Sequence, residues 1–229
     1  MPGPNVIRFV VVPSPDTNDH EVQIFLDGED FIRRHWPNMM GMDPDDLLSN
    51  RHLLPQDESH RATVVRCGCG EVGCGSASVR ISVQDDRVIW DEWQGDTGEP
   101  AAETLIFDRN LYLKAVTDAI EDHRWETADR TAARILASII DHSILAENNL
   151  DYQWASGRIR DATLTISLRG PEGCHQILVH IDWKEQSPEE IAREAARLLK
   201  TDPNQWPDII WYAENCNPPF KGPAWNKKH

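Results

Sequence analysis

The chain has 229 residues, of which 40% are hydrophobic and 27% are charged. This composition is ordinary for globular proteins and excludes wholesale disorder, collagen and coiled-coil arrays. The 38 acidic and 23 basic side chains give a formal net charge of −15, which repels the phosphate backbone of duplex nucleic acid. We therefore expect one large or two small globular domains that do not bind duplex nucleic acid.

The first apolar run, at residues 6–12, predicts a β-strand rather than a signal peptide. Arg8 interrupts this run, no basic stretch precedes it, and Pro-Ser-Pro-Asp follows at 13–16 in place of a small-residue cleavage site. No stretch reaches the roughly 18 apolar residues that a membrane helix needs. The five cysteines are odd in number and partly crowded, unlike a secreted disulfide framework. These features predict a soluble cytoplasmic protein without a membrane partner.

Short β-strands dominate the first half of the sequence. Their signals are apolar or alternating runs, at 6–12, 20–26, 62–66, 77–83 and 88–93. Asp85-Asp86 predicts a tight turn between the last two. Residues 29–60 are irregular and predict a decorated loop with a short helix near Asp43, and a longer helix is expected from about Asp108.

The second half alternates between helical and strand periodicity. A helix is expected around 132–140, and Ser187-Pro188 opens another with a capping signature completed by Glu190. Period-two segments indicate strands, at 152–154, 164–168, 177–183 and 209–212. The pattern as a whole predicts an α+β fold, with antiparallel sheets built from hairpins and a three-stranded meander, and about three main helices.

Charge is distributed unevenly and suggests two domains. Residues 1–124 carry a net charge of −12, and residues 125–229 carry −3. We expect 1–124 to form an acidic β-rich domain with the cysteine loop and the following helix. Residues 125–229 should form a helix, an antiparallel meander and a further helix packed on the first domain. A single continuous domain is the alternative.

The densest motif places three thiols and four glycines within residues 67–75, in the order Cys-Gly-Cys-Gly-Glu-Val-Gly-Cys-Gly. Glycines allow such a loop to fold its sulfur atoms toward one point, as thiolate metal ligation requires. The expected ligands of a zinc ion are Cys67, Cys69 and Cys74. The candidates for a fourth ligand are His52, taken first, and His60, Cys174 and His175. Two alternatives stay open: small reduced cysteines packed in a tight turn, and a redox pair formed through Cys74.

Catalytic signatures are missing from the sequence. Gly68-x-Gly70-x-x-Gly73 matches the dinucleotide fingerprint in letters, but a strand follows where that fingerprint requires a helix. There is no Walker A segment, His-Glu-x-x-His or Gly-x-Ser-x-Gly motif. No catalytic residue is therefore assigned.

Nine tryptophans are many for this length, and tryptophan is enriched at binding hot spots. Trp36, Trp206 and Trp225 lie in proline-flanked segments, where we expect exposed rings. Acidic and aromatic residues near the cysteine loop form the predicted binding surface: Trp36, Glu71, Trp90, Asp91, Glu92 and Trp93. A negative surface would attract a basic protein partner.

Several segments of the first half share a pattern with known proteins: Asp27-Gly28, Leu48-Ser49-Asn50-Arg51-His52-Leu53, the loop Cys67–Gly75 followed by Val79-Arg80-Ile81, Val88-Ile89-Trp90-Asp91-Glu92-Trp93, and Phe107-Asp108-x-x-x-Tyr112. In these segments the chain resembles a family of uncharacterised proteins common in actinomycete genomes. The resemblance implies a bacterial source and a shared fold, and it supplies no activity.

Two functions are consistent with the sequence. The first is a non-enzymatic binding protein, such as an acidic inhibitor or immunity-type protein that masks a basic partner. The second is a metal- or thiol-dependent enzyme centred on the loop from Cys67 to Cys74, with Arg51, His52 and Glu71 in support. A structural zinc ion would fit either function.

Overall fold

A computed structural model describes residues 3–13, 19–69, 74–95, 103–170 and 175–213. The α+β prediction is confirmed: the described residues form three antiparallel sheets and three substantial helices. The chain divides into two compact units, residues 1–125 and 126–229, called the first and second units below. Among the described residues, no helix is both long and apolar enough to cross a membrane.

The described residues of the first unit form two sheets and two α-helices. Its strands are β1 (Ile7–Pro13), β2 (His20–Leu26), β3 (Glu29–Asp30), β4 (Met39–Gly41), β5 (His60–Cys67), β6 (Ser76–Gln84), β7 (Arg87–Gly95) and β8 (Leu105–Asp108). Its helices are α1 (Phe31–His35) and α2 (Arg109–Glu121), and a one-turn π-helical segment covers Asp45–Ser49. Strands β1 to β3 form one sheet in chain order, and β4 to β8 form the other, also in chain order.

Local sequence explains the tight hairpins of the first unit. Asp27 and Gly28 both adopt positive φ, 52° and 90°, as a two-residue turn between β2 and β3 requires. Asp85, with φ of 52°, begins the turn between β6 and β7. Because strand side chains alternate between faces, β6 buries Ala77, Val79 and Ile81 in the core.

Strand β4 shows why the segment 29–60 is more ordered than the predicted loop. A Cβ on Gly41 would lie 2.0 Å from the carbonyl oxygen of Val22, so only glycine allows this close approach of two backbones. The buried Glu21 carboxylate accepts a hydrogen bond from the Gly41 amide at 3.1 Å. These contacts hold β4 against β2, and β4 pairs with β5 within its own sheet.

The described residues of the second unit form a four-stranded sheet with helices. Its helices are α3 (Ala128–Ile139), α4 (His142–Glu147) and α5 (Pro188–Leu198), and its strands are β9 (Asp151–Ser156), β10 (Thr163–Arg169), β11 (His175–Asp182) and β12 (Ile209–Ala213). The sheet order is β12, β11, β10, β9. Helix α5 begins at the predicted capping box, in which the Ser187 hydroxyl accepts from the Glu190 amide and the Glu190 carboxylate accepts from the Ser187 amide. The apolar faces of α3 and α5 belong to the same core as β10 and β11.

Candidate metal centre

The three clustered cysteines lie at one end of the hairpin formed by β5 and β6. Cys67 is the last residue of β5, and its amide donates to the Gly75 carbonyl at 2.9 Å. Cys69 follows in the turn, and Cys74 precedes β6. The hairpin therefore fixes both ends of the loop, since its strands are hydrogen-bonded along their length.

The sulfur atoms of Cys67, Cys69 and Cys74 all lie within 4.8 Å of one another. Zinc–sulfur bonds of about 2.3 Å in a tetrahedron place sulfur atoms about 3.8 Å apart. The loop thus needs only a small contraction to ligate one ion with three thiolates. Cys67 is half-buried, whereas Cys69 and Cys74 are exposed, so the cluster of three thiols is accessible to solvent.

The three thiols also influence one another electrostatically. The pKa of Cys74 rises to about 11, chiefly because its thiol hydrogen-bonds with those of Cys69 and Cys67, with repulsion between the thiolates adding to the effect. Without a cation, the Cys74 thiol is therefore protonated at neutral pH. A bound metal ion would supply the positive charge that favours the thiolate.

The structure does not bring His52 to the thiols. The His52 carbonyl contacts the Nε2 atom of His60 at 2.9 Å, at the first residue of β5. Cys67 ends that strand seven residues later, about 20 Å away at the rise of an extended chain. Among the described residues, the group that could hold a metal comprises only the three cysteines. Glu71 and Cys174 lie outside the described residues.

Two methionines of β4 flank the loop on opposite sides. Met39 is the cross-strand partner of Cys67, and a Cβ on Gly75 would lie 3.8 Å from the Met39 methyl carbon and 3.9 Å from Cys67 Cβ. Met40 pairs with Arg66, and its Sδ would lie 3.7 Å from a Cβ on Gly68. Since directly paired residues of antiparallel strands share a face, Met39 lies on the same face as Cys67. Met40 lies on the other face.

The expectation of exposed tryptophan rings in proline-flanked segments is wrong for Trp36 and Trp206, both of which are 6% exposed. Trp36 packs against Phe31 and the half-buried Trp93, with ring centroids 5.9 and 5.6 Å away. The proline after Trp36 indicated the end of an element, but it carried no information about these long-range aromatic contacts. Trp225 lies outside the described residues.

Trp90, another predicted binding residue, is fully buried in the core of the first unit. Its indole Nε1 donates to the Tyr112 hydroxyl at 3.1 Å, and that hydroxyl donates to the Leu53 carbonyl at 2.8 Å. Burial raises the pKa of Tyr112 far above its usual range, so this hydroxyl remains a donor. The role of Trp90 is structural.

Two of the carboxylates predicted to bind a basic partner, those of Asp91 and Glu92, are already paired with arginines. Arg80 donates to both oxygens of Asp91, at 2.8 Å each, and its Nη1 lies 3.0 Å from a Glu92 oxygen. Arg61 donates to the Glu92 carbonyl at 2.7 Å. The two acidic and two basic side chains form a cluster with no net charge. A basic protein partner stays a prediction.

The Arg80 ion pair should make Asp91 contribute to stability only above acidic pH. Hydrogen bonds from Arg80 lower the pKa of Asp91, so its contribution is complete above the unfolded value of about 3.9 and is lost as pH falls through the lowered folded value. We expect Asp91→Asn to lower the unfolding free energy by no more than about 1 kcal/mol at pH 7. Urea titrations at pH 7 and in acid should show this difference disappearing, and a constant difference would contradict the assignment.

Met39 is the residue near the thiols that reasoning from the sequence missed. No signal in the sequence reveals it, because Met39 and Cys67 are brought together by strand pairing alone.

Comparisons of the chain with models of protein families, with curated proteins and with solved structures find no match.

Proposed function

We propose that this protein binds one thiophilic metal ion through the thiolates of Cys67, Cys69 and Cys74. The supporting observation is the mutual approach of the three sulfur atoms to within 4.8 Å at the end of a hydrogen-bonded hairpin. Zinc, the ion expected from the sequence, accepts three protein thiolates of this kind. The proposal is a binding function and requires no catalytic residue.

Exposure of the site favours an exchangeable ion over a buried structural one. Cys69 and Cys74 are exposed, so incoming ligands can reach the ion. Closed structural zinc sites have four protein ligands, whereas the described residues gather three. Of the residues invoked for an enzyme, His52 lies at the far end of β5, and among the described residues it does not join the thiols.

Titration of the reduced metal-free protein with Zn²⁺, against a chromogenic chelator, tests the proposal. We expect saturation at about one equivalent. Binding should weaken as pH falls, because the Cys74 thiol has a raised pKa and must lose its proton to ligate the ion. Zinc binding no tighter than that of a chain with all three loop cysteines replaced by serine would refute the proposal.

Removal of the metal should leave the fold intact. The buried core of the first unit contains aliphatic and aromatic side chains and none of the three loop cysteines. The unfolding free energy should therefore change only by the linkage term, which is about 2.7 kcal/mol when free metal is at 100 times its Kd. Circular dichroism of the chelated protein should match that of the loaded protein, in contrast to zinc fingers, which unfold without metal.

A further inference from the structure

We propose that the ion carried by this site is Cu⁺ and that the thioether of Met39 completes its sulfur ligand set. This inference rests on the metal site proposed above and names its cargo. The juxtaposition of Met39 with the thiols, on the face of the sheet that carries Cys67, is the observation behind it.

Strand pairing places Met39 beside Cys67. Met39 and Cys67 are directly opposite each other on β4 and β5, and such pairs have Cβ atoms about 4.5–5.5 Å apart. The Met39 methyl carbon extends to the other end of the loop, where it would lie 3.8 Å from a Cβ on Gly75. The side chain thus spans from the end of β5 toward the residue after Cys74.

The flexible side chain of Met39 allows its sulfur to approach the thiols. Methionine is unbranched and has three rotatable bonds, so its sulfur can move by rotamer changes without displacement of the strand. Met39 is half-buried, which leaves room for such movement, whereas Met40 is buried. Gly75 contributes because it has no side chain between Met39 and the thiols.

The chemistry of the ligands indicates which ion the site binds. Thiolates bind both Zn²⁺ and Cu⁺, but a thioether is a ligand of Cu⁺ and is not among the usual cysteine, histidine and carboxylate ligands of zinc. In the part of the chain that the structure describes, no histidine or carboxylate joins the three thiols. A site of three thiolates and one thioether therefore suits Cu⁺ better than Zn²⁺.

The test compares two half-buried methionines, one opposite Cys67 and one three residues further along the chain. Reduced metal-free protein is titrated anaerobically with Cu⁺ in competition with a chromogenic Cu⁺ chelator, and separately with Zn²⁺. Met39→Leu keeps the side-chain volume and removes the thioether, so we expect Cu⁺ affinity to fall about tenfold with Zn²⁺ affinity unchanged. Met42→Leu is the matched control. Met42 is half-buried like Met39, but it lies past the end of β4, with its amide bonded to the Val64 carbonyl, so its replacement should change neither affinity.

The outcomes separate this inference from the proposed function. Unchanged Cu⁺ affinity in Met39→Leu, or an equal loss for both ions, would overturn the role of Met39 while leaving the thiolate site intact. Failure of the unsubstituted chain to bind either ion would refute the site itself.

A second measurement uses the unsubstituted protein and does not depend on how the variants fold. Anaerobic NMR of protein labelled with ¹³C in its methionine methyl groups should show the Met39 signal shifting when Cu⁺ is added, because its sulfur becomes a ligand. Zn²⁺ should shift that signal less, since the thioether is not expected to ligate it. A Met39 shift no larger with Cu⁺ than with Zn²⁺ would overturn the assignment.

Discussion

Replacing Trp90 with alanine should lower the free energy of unfolding by about 3–5 kcal/mol, the range for loss of a buried aromatic side chain. Trp90 is fully buried, and its ring makes edge contacts with Phe107 and Tyr112, at centroid distances of 5.6 and 6.1 Å. The substitution also removes the indole donor to the Tyr112 hydroxyl. Urea unfolding of the full chain, followed by circular dichroism, measures the loss.

Trp90→Phe is the control for the hydrogen bond. It retains much of the buried aromatic surface and removes the donor, so we expect a smaller loss than with alanine. A near-neutral Trp90→Ala variant would show that the residue is not part of the core. In that case Trp90 would again be a candidate binding residue.

Replacing Cys69 with serine should weaken Zn²⁺ binding by at least about a hundredfold, because loss of a ligand should exceed the 10- to 100-fold effect of losing a second-sphere partner. Cys74→Ser should have a similar effect. Both side chains are exposed, so neither change should alter the stability of the metal-free protein by more than about 0.5 kcal/mol. Competition titration measures the affinity, and thermal unfolding measures the stability.

Ser76→Ala provides a control beside the loop. Ser76 is the first residue of β6 and pairs with Arg66, and serine is not among the usual zinc ligands. Its replacement should leave Zn²⁺ affinity unchanged. Equal affinity of the Cys69→Ser, Cys74→Ser and Ser76→Ala variants would show that the thiols do not ligate the ion.

Much of the fold follows from local signals. Strand β6 alternates apolar and polar residues between a turn at Asp85 and the cysteine loop, and α5 carries a complete capping box. The sequence did not reveal β4 because three residues are too few to show periodicity. Its position depends on the approach of Gly41 to the Val22 backbone, a contact between distant parts of the chain.

The candidate site, like the fold, could be predicted from the sequence only where its residues are close along the chain. Cysteine and glycine spacing predicted the thiol cluster, because the ligands are close in sequence and a hairpin closes the loop. Two other site predictions depended on distant contacts and were not supported. Trp36 is buried by the rings of Phe31 and Trp93, and His52 is held near the start of β5. Met39 required knowledge of the pairing of β4 with β5.

The most direct test of the metal site is elemental analysis of the protein purified without chelators from cells supplied with both zinc and copper. We expect about one thiophilic metal ion per chain, and almost none in a variant with Cys67, Cys69 and Cys74 all changed to serine. Metal far below stoichiometry in the unsubstituted chain, with its thiols reduced and titratable, would contradict it, as would equal metal content in the two proteins.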